Sequence, residues 1–242
     1  MATAEENGGR PDAASRNLTF GMLDALGRAI VTGVYDSQRF PTEAELASQH
    51  AVSRSVTREA VKMLTAKGLL TARPRKGTTV QPPSCWNLFD ADVLRWLLER
   101  SFSLDLLRQF SELRVAIEPE AAALAAREAD PAALEAIEAG YIRMEAAEEG
   151  RDDALESDIA FHIAVLDACG NPFYRQFRDV VTTALRTSIR FTNRFKGRTA
   201  SLPAHRAVLD SIRAKDVAGA RSAMAAIIGD VMVLIEEARR SA

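Results

Sequence analysis

The chain has 242 residues, 47% of them hydrophobic, which is enough for one small and one medium domain, each with its own core. Its formal net charge is only −2, so total charge alone does not point to a nucleic acid or a membrane surface. Apolar runs are short and nothing resembles a signal peptide, so we expect a cytoplasmic protein with no membrane partner. Cys85 and Cys169 are far apart and in no metal-binding spacing, so free thiols are expected.

The charge is unevenly distributed along the chain. Between residues 52 and 80, seven basic residues stand against one acidic residue, a local balance of +6. Residues 1–85 carry 11 basic and 8 acidic residues, or +3, which leaves −5 for residues 86–242. The two parts are therefore expected to have different functions, although a solvated helix face is the simpler explanation of scattered cations.

The N-terminal part reads as a tail followed by helices. Residues 1–17 contain little that could pack, so a disordered tail is expected. A first helix is predicted from about residue 18 to residue 32, ending at Gly33. Thr42 is followed three residues later by Glu45, a capping-box pattern that satisfies free backbone N–H groups at the start of a second helix.

A third helix and a β-hairpin follow in the pattern of a winged helix-turn-helix. Ser53 can cap the third helix, whose apolar positions recur every three to four residues, and Gly68 would end it. Two short β-prone runs, 69–71 and 78–80, then flank a basic stretch that is typical of a wing, Arg73-Pro74-Arg75-Lys76-Gly77. Residues 18–83 are therefore predicted to form a DNA-binding domain of three helices and a small β-wing.

The start of the third helix carries the residue types that contact DNA. Hydroxyl groups, guanidinium groups and a helix N-terminus suit phosphates and guanine edges, and a recognition helix presents its first turns to the major groove. The predicted DNA-binding residues on this helix are Ser53, Arg54, Ser55, Thr57 and Arg58.

Beyond two prolines at 82 and 83 the composition changes. Residues 84–103 are apolar and aromatic, and we expect a linker that packs against the second domain; a peripheral helix filling its own core is the alternative. From residue 104 onward strand signals vanish, so the fold class is mostly α, with residues 104–242 forming an all-α bundle. The predicted helices are 104–128, 131–149, 152–169, 172–196, 201–214 and 216–240.

Asp158 and His162 are the chemically distinctive pair in this bundle. They are four residues apart, so both side chains leave the same face of one helix. Surrounded by apolar residues, they are candidates for a polar cluster that could hold a divalent metal ion. A pair exposed on the helix surface is the alternative that the spacing leaves open.

Several longer segments follow one another in a familiar order: FPTEAELA, VSRSVTREAVKMLTAKGLL, ELRVAIEPEAAALAA, DIAFHIAVLDACGNP and AHRAVLDSI. They resemble the GntR family of bacterial transcription regulators, in the FadR-type branch whose all-helical effector domain is called FCD. The joining segment CWNLFDADVLRWLLE is similar to that of regulators of sugar-acid use. The resemblance implies a winged helix-turn-helix followed by an effector-binding and dimerisation domain at residues 104–242.

For the DNA-binding domain, the resemblance assigns Arg54 and Arg58 to operator contacts. Ser53 and Ser55 would lie beside them, and Lys76 and Gly77 would lie at the tip of the wing. Arg75, in the same basic stretch, is also predicted to contact DNA. One departure is visible, because many relatives carry arginine where this chain has Ala44. The operator is therefore expected to differ from that of such relatives.

For the FCD domain, the resemblance assigns Asp158, His162 and His205 to metal binding, usually with one further histidine. That fourth position corresponds to Ile227 here, so at most three ligands remain for one divalent ion of the Zn, Ni or Mn type. The alternative is a metal-free pocket in which the same three residues hydrogen-bond the effector. Arg114 matches a family arginine that could grip an effector carboxylate. Arg186 and Arg190 could assist, or could simply form ion pairs on the helix surface.

The resulting hypothesis is a homodimeric, DNA-binding transcriptional repressor. A small organic acid, such as an aldonate or similar sugar acid, would bind the second domain and lower the affinity for double-stranded operator DNA. A metal-dependent all-α enzyme with a DNA-binding appendage is one alternative, weakened by the lack of an evident general base or nucleophile. An architectural DNA-binding dimer without an effector is the other.

Overall fold

The computed structural model describes residues 13–73, 77–100, 103–196 and 201–240. The chain divides into two compact units, Met1–Ser101 and Phe102–Ala242, and both are described separately below. As expected, the described part is mostly α-helical, with a single small sheet. Cys85 is an exposed free thiol in the first unit, and Cys169 is a buried free thiol in the second.

In the part of the first unit that the structure describes, there are four α-helices and a two-stranded sheet. Helix α1 begins five residues before the predicted start, inside the stretch expected to be a tail, and residues 1–12 lie outside the described residues. A short 3-10 turn covers Pro83–Cys85. The other elements are α1 (Ala13–Val31), α2 (Glu43–Gln49), α3 (Arg54–Ala66), β1 (Leu70–Arg73), β2 (Gly77–Val80) and α4 (Ala91–Leu97).

The caps that set α2 and α3 are formed as predicted. The Thr42 hydroxyl accepts a hydrogen bond from the backbone N–H of Glu45 at 3.3 Å, and the Glu45 carboxylate accepts one from the backbone N–H of Thr42 at 2.7 Å. Ser53 caps α3 in the same way, accepting from the N–H of Val56 at 3.3 Å. The turn between the helices passes through Ala51, whose φ of 52° is left-handed. These local hydrogen bonds confirm the helix-turn-helix.

Helix α3 buries one apolar face within the first unit. Val56, Ala60, Val61 and Leu64 are buried, and α3 packs against both α1 and α2. Behind α3, strands β1 and β2 pair antiparallel, with Leu70 opposite Val80 and Arg73 opposite Gly77. The wing is therefore confirmed, with slightly longer strands than predicted. Its tip residues Arg75 and Lys76, both predicted DNA contacts, lie outside the described residues.

The predicted linker at residues 84–103 is instead largely part of the first unit, because α4 packs against α1. Trp96 is fully buried, and its ring covers Gly27 of α1 so closely that a Cβ on Gly27 would lie 2.2 Å from a ring carbon. The indole N–H of Trp96 donates to Asp24 at 2.8 Å. As expected, this apolar segment is not a free tether, and the packing of α4 on α1 agrees with the alternative of a peripheral helix that fills its own core.

The end of α3 is held against the segment that leads into α4. Gly68 has a φ of 77°, and a Cβ on it would lie 2.2 Å from the carbonyl oxygen of Cys85. The ammonium group of Lys67 donates to both Asp90 and Asp92, at 2.7 and 2.9 Å to the nearest oxygens. The charge of Lys67 is therefore neutralised by ion pairs inside the first unit and does not add to the basic surface.

Replacing Gly68 by alanine should destabilise the chain by roughly 2–5 kcal/mol. The left-handed backbone costs a non-glycine residue ~1–2 kcal/mol, and the contact with the Cys85 carbonyl adds ~1–3 kcal/mol of overpacking. Gly77 is a matched control, because its φ is 76° but a Cβ there would meet nothing within 4 Å. Urea unfolding of both variants measures the difference; equal losses would contradict the close approach at Gly68.

The second unit is an all-helical bundle. Helices α5 and α11 pack along each other, α6 packs against α7, and α10 lies against α11, α6 and α5. The predicted helix at 172–196 is in fact two helices, interrupted after residue 175. The elements are α5 (Leu104–Glu128), α6 (Pro131–Glu148), α7 (Ala154–Ala168), α8 (Pro172–Arg175), α9 (Arg178–Lys196), α10 (Leu202–Arg213) and α11 (Val217–Arg240).

Helix α11 is long and apolar enough, by length and composition, to cross a membrane, with a mean hydropathy of 1.6 over its most apolar window. Its residues Met224, Ile228 and Ile235 are nevertheless buried against neighbouring helices of the bundle. A core helix of a helical bundle has the same composition, so this one helix is weak evidence for a membrane.

Candidate functional site

The first turns of α3 present two arginines to solvent. Arg54 and Arg58 are both exposed and lie one helical turn apart. Arg58 lies 3.6 Å from a carboxylate oxygen of Glu43, yet its side chain remains 65% exposed. Ser53 and Ser55 are also exposed, with their hydroxyl oxygens 2.8 Å apart. Four of the five residues predicted on this helix therefore form one exposed polar surface.

Thr57 does not belong to that surface. It is fully buried, and its hydroxyl donates to the backbone carbonyl of Ser53 at 3.2 Å. Because residue 57 points toward the side of α3 that packs on the rest of the unit, the prediction of a DNA contact by Thr57 was wrong. At the wing, Gly77 is exposed.

A cluster of ionisable side chains is buried inside the second unit. Helix α5 supplies Arg114 and Glu118, α7 supplies Asp158 and His162, and α10 supplies His205. Each of the five is at most 4% exposed. The structure therefore brings together Asp158, His162 and His205 from two different helices and excludes the surface-pair alternative for Asp158 and His162.

Three atoms of this cluster face one another. The Nε2 atoms of His162 and His205 are 3.3 Å apart. The Asp158 Oδ1 atom lies 3.1 Å from Nε2 of His205 and 3.8 Å from Nε2 of His162. Although one distance is short, Asp158 Oδ1 has no hydrogen bond of acceptable direction within the described part of the chain. A buried carboxylate oxygen without such a bond is costly, so this triangle suits a cation.

The opposite ring nitrogens show how the histidines are oriented. Nδ1 of His162 lies 2.5 Å from Oε2 of Glu118, and Nδ1 of His205 lies 2.8 Å from the carbonyl oxygen of Ser201. Both partners are acceptors, so we assign the proton of each neutral ring to Nδ1. Each Nε2 then carries a lone pair toward Asp158. This is the arrangement in which imidazole binds a metal ion.

The two buried carboxylates remain ionised. Burial raises the pKa of Glu118, but the charge of Arg114 and the contact with His162 outweigh it and bring that pKa below its usual range. Burial likewise raises the pKa of Asp158, but its close contact with the His205 ring and the charge of Arg114 bring the net value down. Arg114 and the two carboxylates together carry a charge of −1.

Glu118 was missed by the sequence analysis, and it changes the interpretation of Arg114. The guanidinium group of Arg114 donates from Nε to Glu118 at 2.5 Å and from Nη2 at 3.4 Å. The i to i+4 spacing of this pair was a signal in the sequence. Arg186 binds Glu156 at 2.6 Å, as its ion-pair alternative predicted, while the side chain of Arg190 lies outside the described residues.

Ile227 occupies the position where relatives usually carry a fourth metal-binding histidine, and its surroundings in the structure are apolar. Ile227 is half-buried and packs against the core formed by α5, α6, α7, α10 and α11. A hydrocarbon side chain donates no electron pair, so Ile227 adds no ligand to the three atoms that Asp158, His162 and His205 offer among the described residues.

Each of the two units matches a known protein family. Residues 22–80 match the model of the gntR family of bacterial regulatory proteins, and residues 109–230 match the FCD domain. The galactonate operon transcriptional repressor of Escherichia coli K12 is 34% identical over 88% of this chain and 94% of its own length. The uncharacterized HTH-type transcriptional regulator YieP of the same organism is 32% identical over 89% and 94%.

Solved structures share the fold at lower identity. Lar, from Listeria monocytogenes, has a TM-score of 0.52 at 17% identity, covering 95% of this chain and 99% of its own. Escherichia coli McbR/YncC has a TM-score of 0.51 at 17% identity, covering 92% and 98%. The families and the curated relatives are transcription regulators and not enzymes. This chain therefore belongs to the GntR family of bacterial regulatory proteins and is a DNA-binding transcriptional regulator with an FCD domain.

Proposed function

We propose that this regulator is a homodimeric repressor that a small carboxylate effector releases from its operator. The observation that carries the DNA-binding half is the pair of exposed arginines, Arg54 and Arg58, on the first turns of the capped helix α3. Guanidinium groups at this position of a recognition helix can bind guanine edges with two parallel hydrogen bonds.

The proposed operator surface extends beyond the two arginines. Ser53 and Ser55 are exposed beside them and suit phosphate oxygens, while Arg75, Lys76 and Gly77 would contact the duplex from the wing. Two copies of this surface in a homodimer would occupy half-sites about one helical turn apart, so a palindromic operator is expected. A phosphate contact fixes the register, and the arginines supply sequence specificity.

The buried cluster fits one divalent metal ion. Asp158, His162 and His205 would hold it, since two imidazole nitrogens and a carboxylate oxygen are ligands that Zn, Ni and Mn accept. Bound there, the ion would supply positive charge and open coordination positions for an anionic ligand. Arg114, Glu118 and Asp158 together carry −1, and a divalent ion would bring that sum to +1. Electrostatics therefore favours binding of a carboxylate only after the cation is present.

A sugar acid is the effector that the comparisons favour. The galactonate operon repressor is among the relatives and matches nearly the whole chain, so an aldonate is a reasonable first ligand to test. An effector changes operator affinity only by binding one conformation better than the other. The acid is therefore expected to prefer a dimer geometry that fits the operator poorly.

Thermal unfolding of the full chain tests this proposal. Zinc alone should raise the unfolding temperature, and an aldonate should raise it further only when zinc is present. A ligand at 100 times its Kd contributes about 2.7 kcal/mol of stability. EDTA should remove both effects. Stabilisation by the acid in EDTA would support the metal-free pocket instead, and conversion of the acid to a product would support the enzyme alternative.

A further inference from the structure

We infer that Glu118 is the positioning residue that fixes the ring of His162, and that Arg114 holds Glu118 in place and does not grip the effector. This inference deepens the proposed metal-dependent function. It concerns two residues of α5 that are not themselves among the three converging ligand atoms. It replaces the expectation that Arg114 is a carboxylate clamp.

Both oxygens of Glu118 are already engaged. Oε1 accepts from Nε of Arg114 at 2.5 Å, and Oε2 lies 2.5 Å from Nδ1 of His162. The side chain is only 2% exposed, so no solvent competes for these oxygens. Glu118 is therefore directed away from the triangle of Asp158, His162 and His205. Its contact is with the far side of the His162 ring.

That contact decides which nitrogen of His162 is available. An imidazole that donates its Nδ1 proton to a carboxylate presents an unprotonated Nε2 on the opposite side of the ring. The Nε2 atom of His162 is the one that lies 3.3 Å from His205 and 3.8 Å from Asp158. Without Glu118, the proton could reside on Nε2 and block the ligand position.

Arg114 has little freedom to bind anything else. Its side chain is 3% exposed, and two of its nitrogens donate to Glu118. A carboxylate that took the place of Glu118 on Nε and Nη2 would leave Glu118 buried and uncompensated, which is strongly unfavourable. The acid is therefore drawn to the cation site and not to Arg114.

The first test requires no substitution and no metal. Long-range nitrogen-15 NMR of the full chain, freed of metal, reports which nitrogen of each histidine is protonated. We expect the His162 ring to be protonated at Nδ1 and unprotonated at Nε2. A ring protonated only at Nε2 would overturn the inference. Because the measurement needs no bound ion, it remains decisive even if the proposed metal binding fails.

The second test compares two substitutions on α5. Glu118→Gln keeps the shape but no longer enforces donation by His162, so zinc affinity should fall about 10–100-fold. The zinc affinity of each variant is measured by competition with a chromophoric chelator, at a temperature where circular dichroism shows intact helices. Glu120→Gln is the matched control, because Glu120 is half-exposed and binds Arg221. Equal zinc affinity in the two variants would overturn the inference.

A purely structural role of the ion pair would give a different pattern. Glu118→Gln would then lower the unfolding temperature but leave zinc affinity and the protonation of His162 unchanged. Arg114→Lys separates the two roles of the arginine, since lysine can still pair with Glu118 but cannot make two parallel bonds to a carboxylate. In the presence of zinc, we expect Arg114→Lys to bind the acid with an affinity within about threefold of wild type. A loss of 30-fold or more would show that Arg114 binds the carboxylate of the acid.

Discussion

Alanine in place of Arg54 or Arg58 is expected to weaken operator binding by at least about 30-fold. A well-placed arginine contact to a base contributes ~1–3 kcal/mol, and a homodimer loses two such contacts, which gives ~2–6 kcal/mol. Both side chains are exposed on the first turns of α3, so truncation leaves no cavity and folding should be unaffected.

The measurement is a gel-shift titration on an operator selected by the wild-type chain from a pool of random duplexes. Each variant should also show a shallower dependence of affinity on salt if its arginine contacts phosphate. Arg127→Ala is the charge-matched control, because Arg127 lies in the second unit with its side chain 62% exposed. Its operator affinity should equal that of wild type.

Two results would contradict the assignment of the recognition surface. Unchanged affinity in both arginine variants would exclude α3 from the groove. An equal loss in Arg127→Ala would mean that net charge, and not position, governs binding. Effector and zinc binding should survive in all three variants, because the buried cluster is built from residues of the second unit alone.

Removing Trp96 is the substitution with the largest expected effect on stability. Tryptophan to alanine in a well-packed core costs ~3–5 kcal/mol, and the indole ring here is fully buried against Gly27. The Asp24 carboxylate also loses the hydrogen bond that contributes most to lowering its pKa. We therefore expect Trp96→Ala to unfold the first unit at a much lower urea concentration.

Tryptophan fluorescence reports this result selectively. The chain has two tryptophans, Trp86 and Trp96, both in the first unit, so the remaining one follows that unit alone. Leu88→Ala is the control in the same segment, because Leu88 is 45% exposed and should lose under ~1 kcal/mol. If both variants unfold at the same urea concentration, α4 does not depend on its contact with α1.

Features set by short-range chemistry were predictable from the sequence. The capping box at Thr42 and Glu45, the Ser53 cap and the left-handed Gly68 each depend on a few adjacent residues, and all are present. The i to i+4 spacing of Asp158 and His162 placed them on one helix face. It could not decide whether that face was buried, and the structure shows that it is.

Features set by distant contacts were not predictable. Trp96 finds its partner Gly27 on another helix, and no local pattern indicates that pairing. The hydroxyl of Thr57 is of a type that suits phosphates, but its position on α3 faces inward. Because an acid four residues after an arginine is usually part of an exposed ion pair, the sequence does not indicate that Glu118 is buried. Its contact with His162 joins residues from two helices.

The packing of α4 on α1 also determines where this protein can be cut and rejoined. A hybrid regulator that exchanged partners after the prolines at 82 and 83 would discard Trp96 and expose the groove over Gly27. It would also separate Lys67 from Asp90 and Asp92. Recombination between relatives, natural or engineered, should therefore preserve everything up to Leu97 as one inherited block.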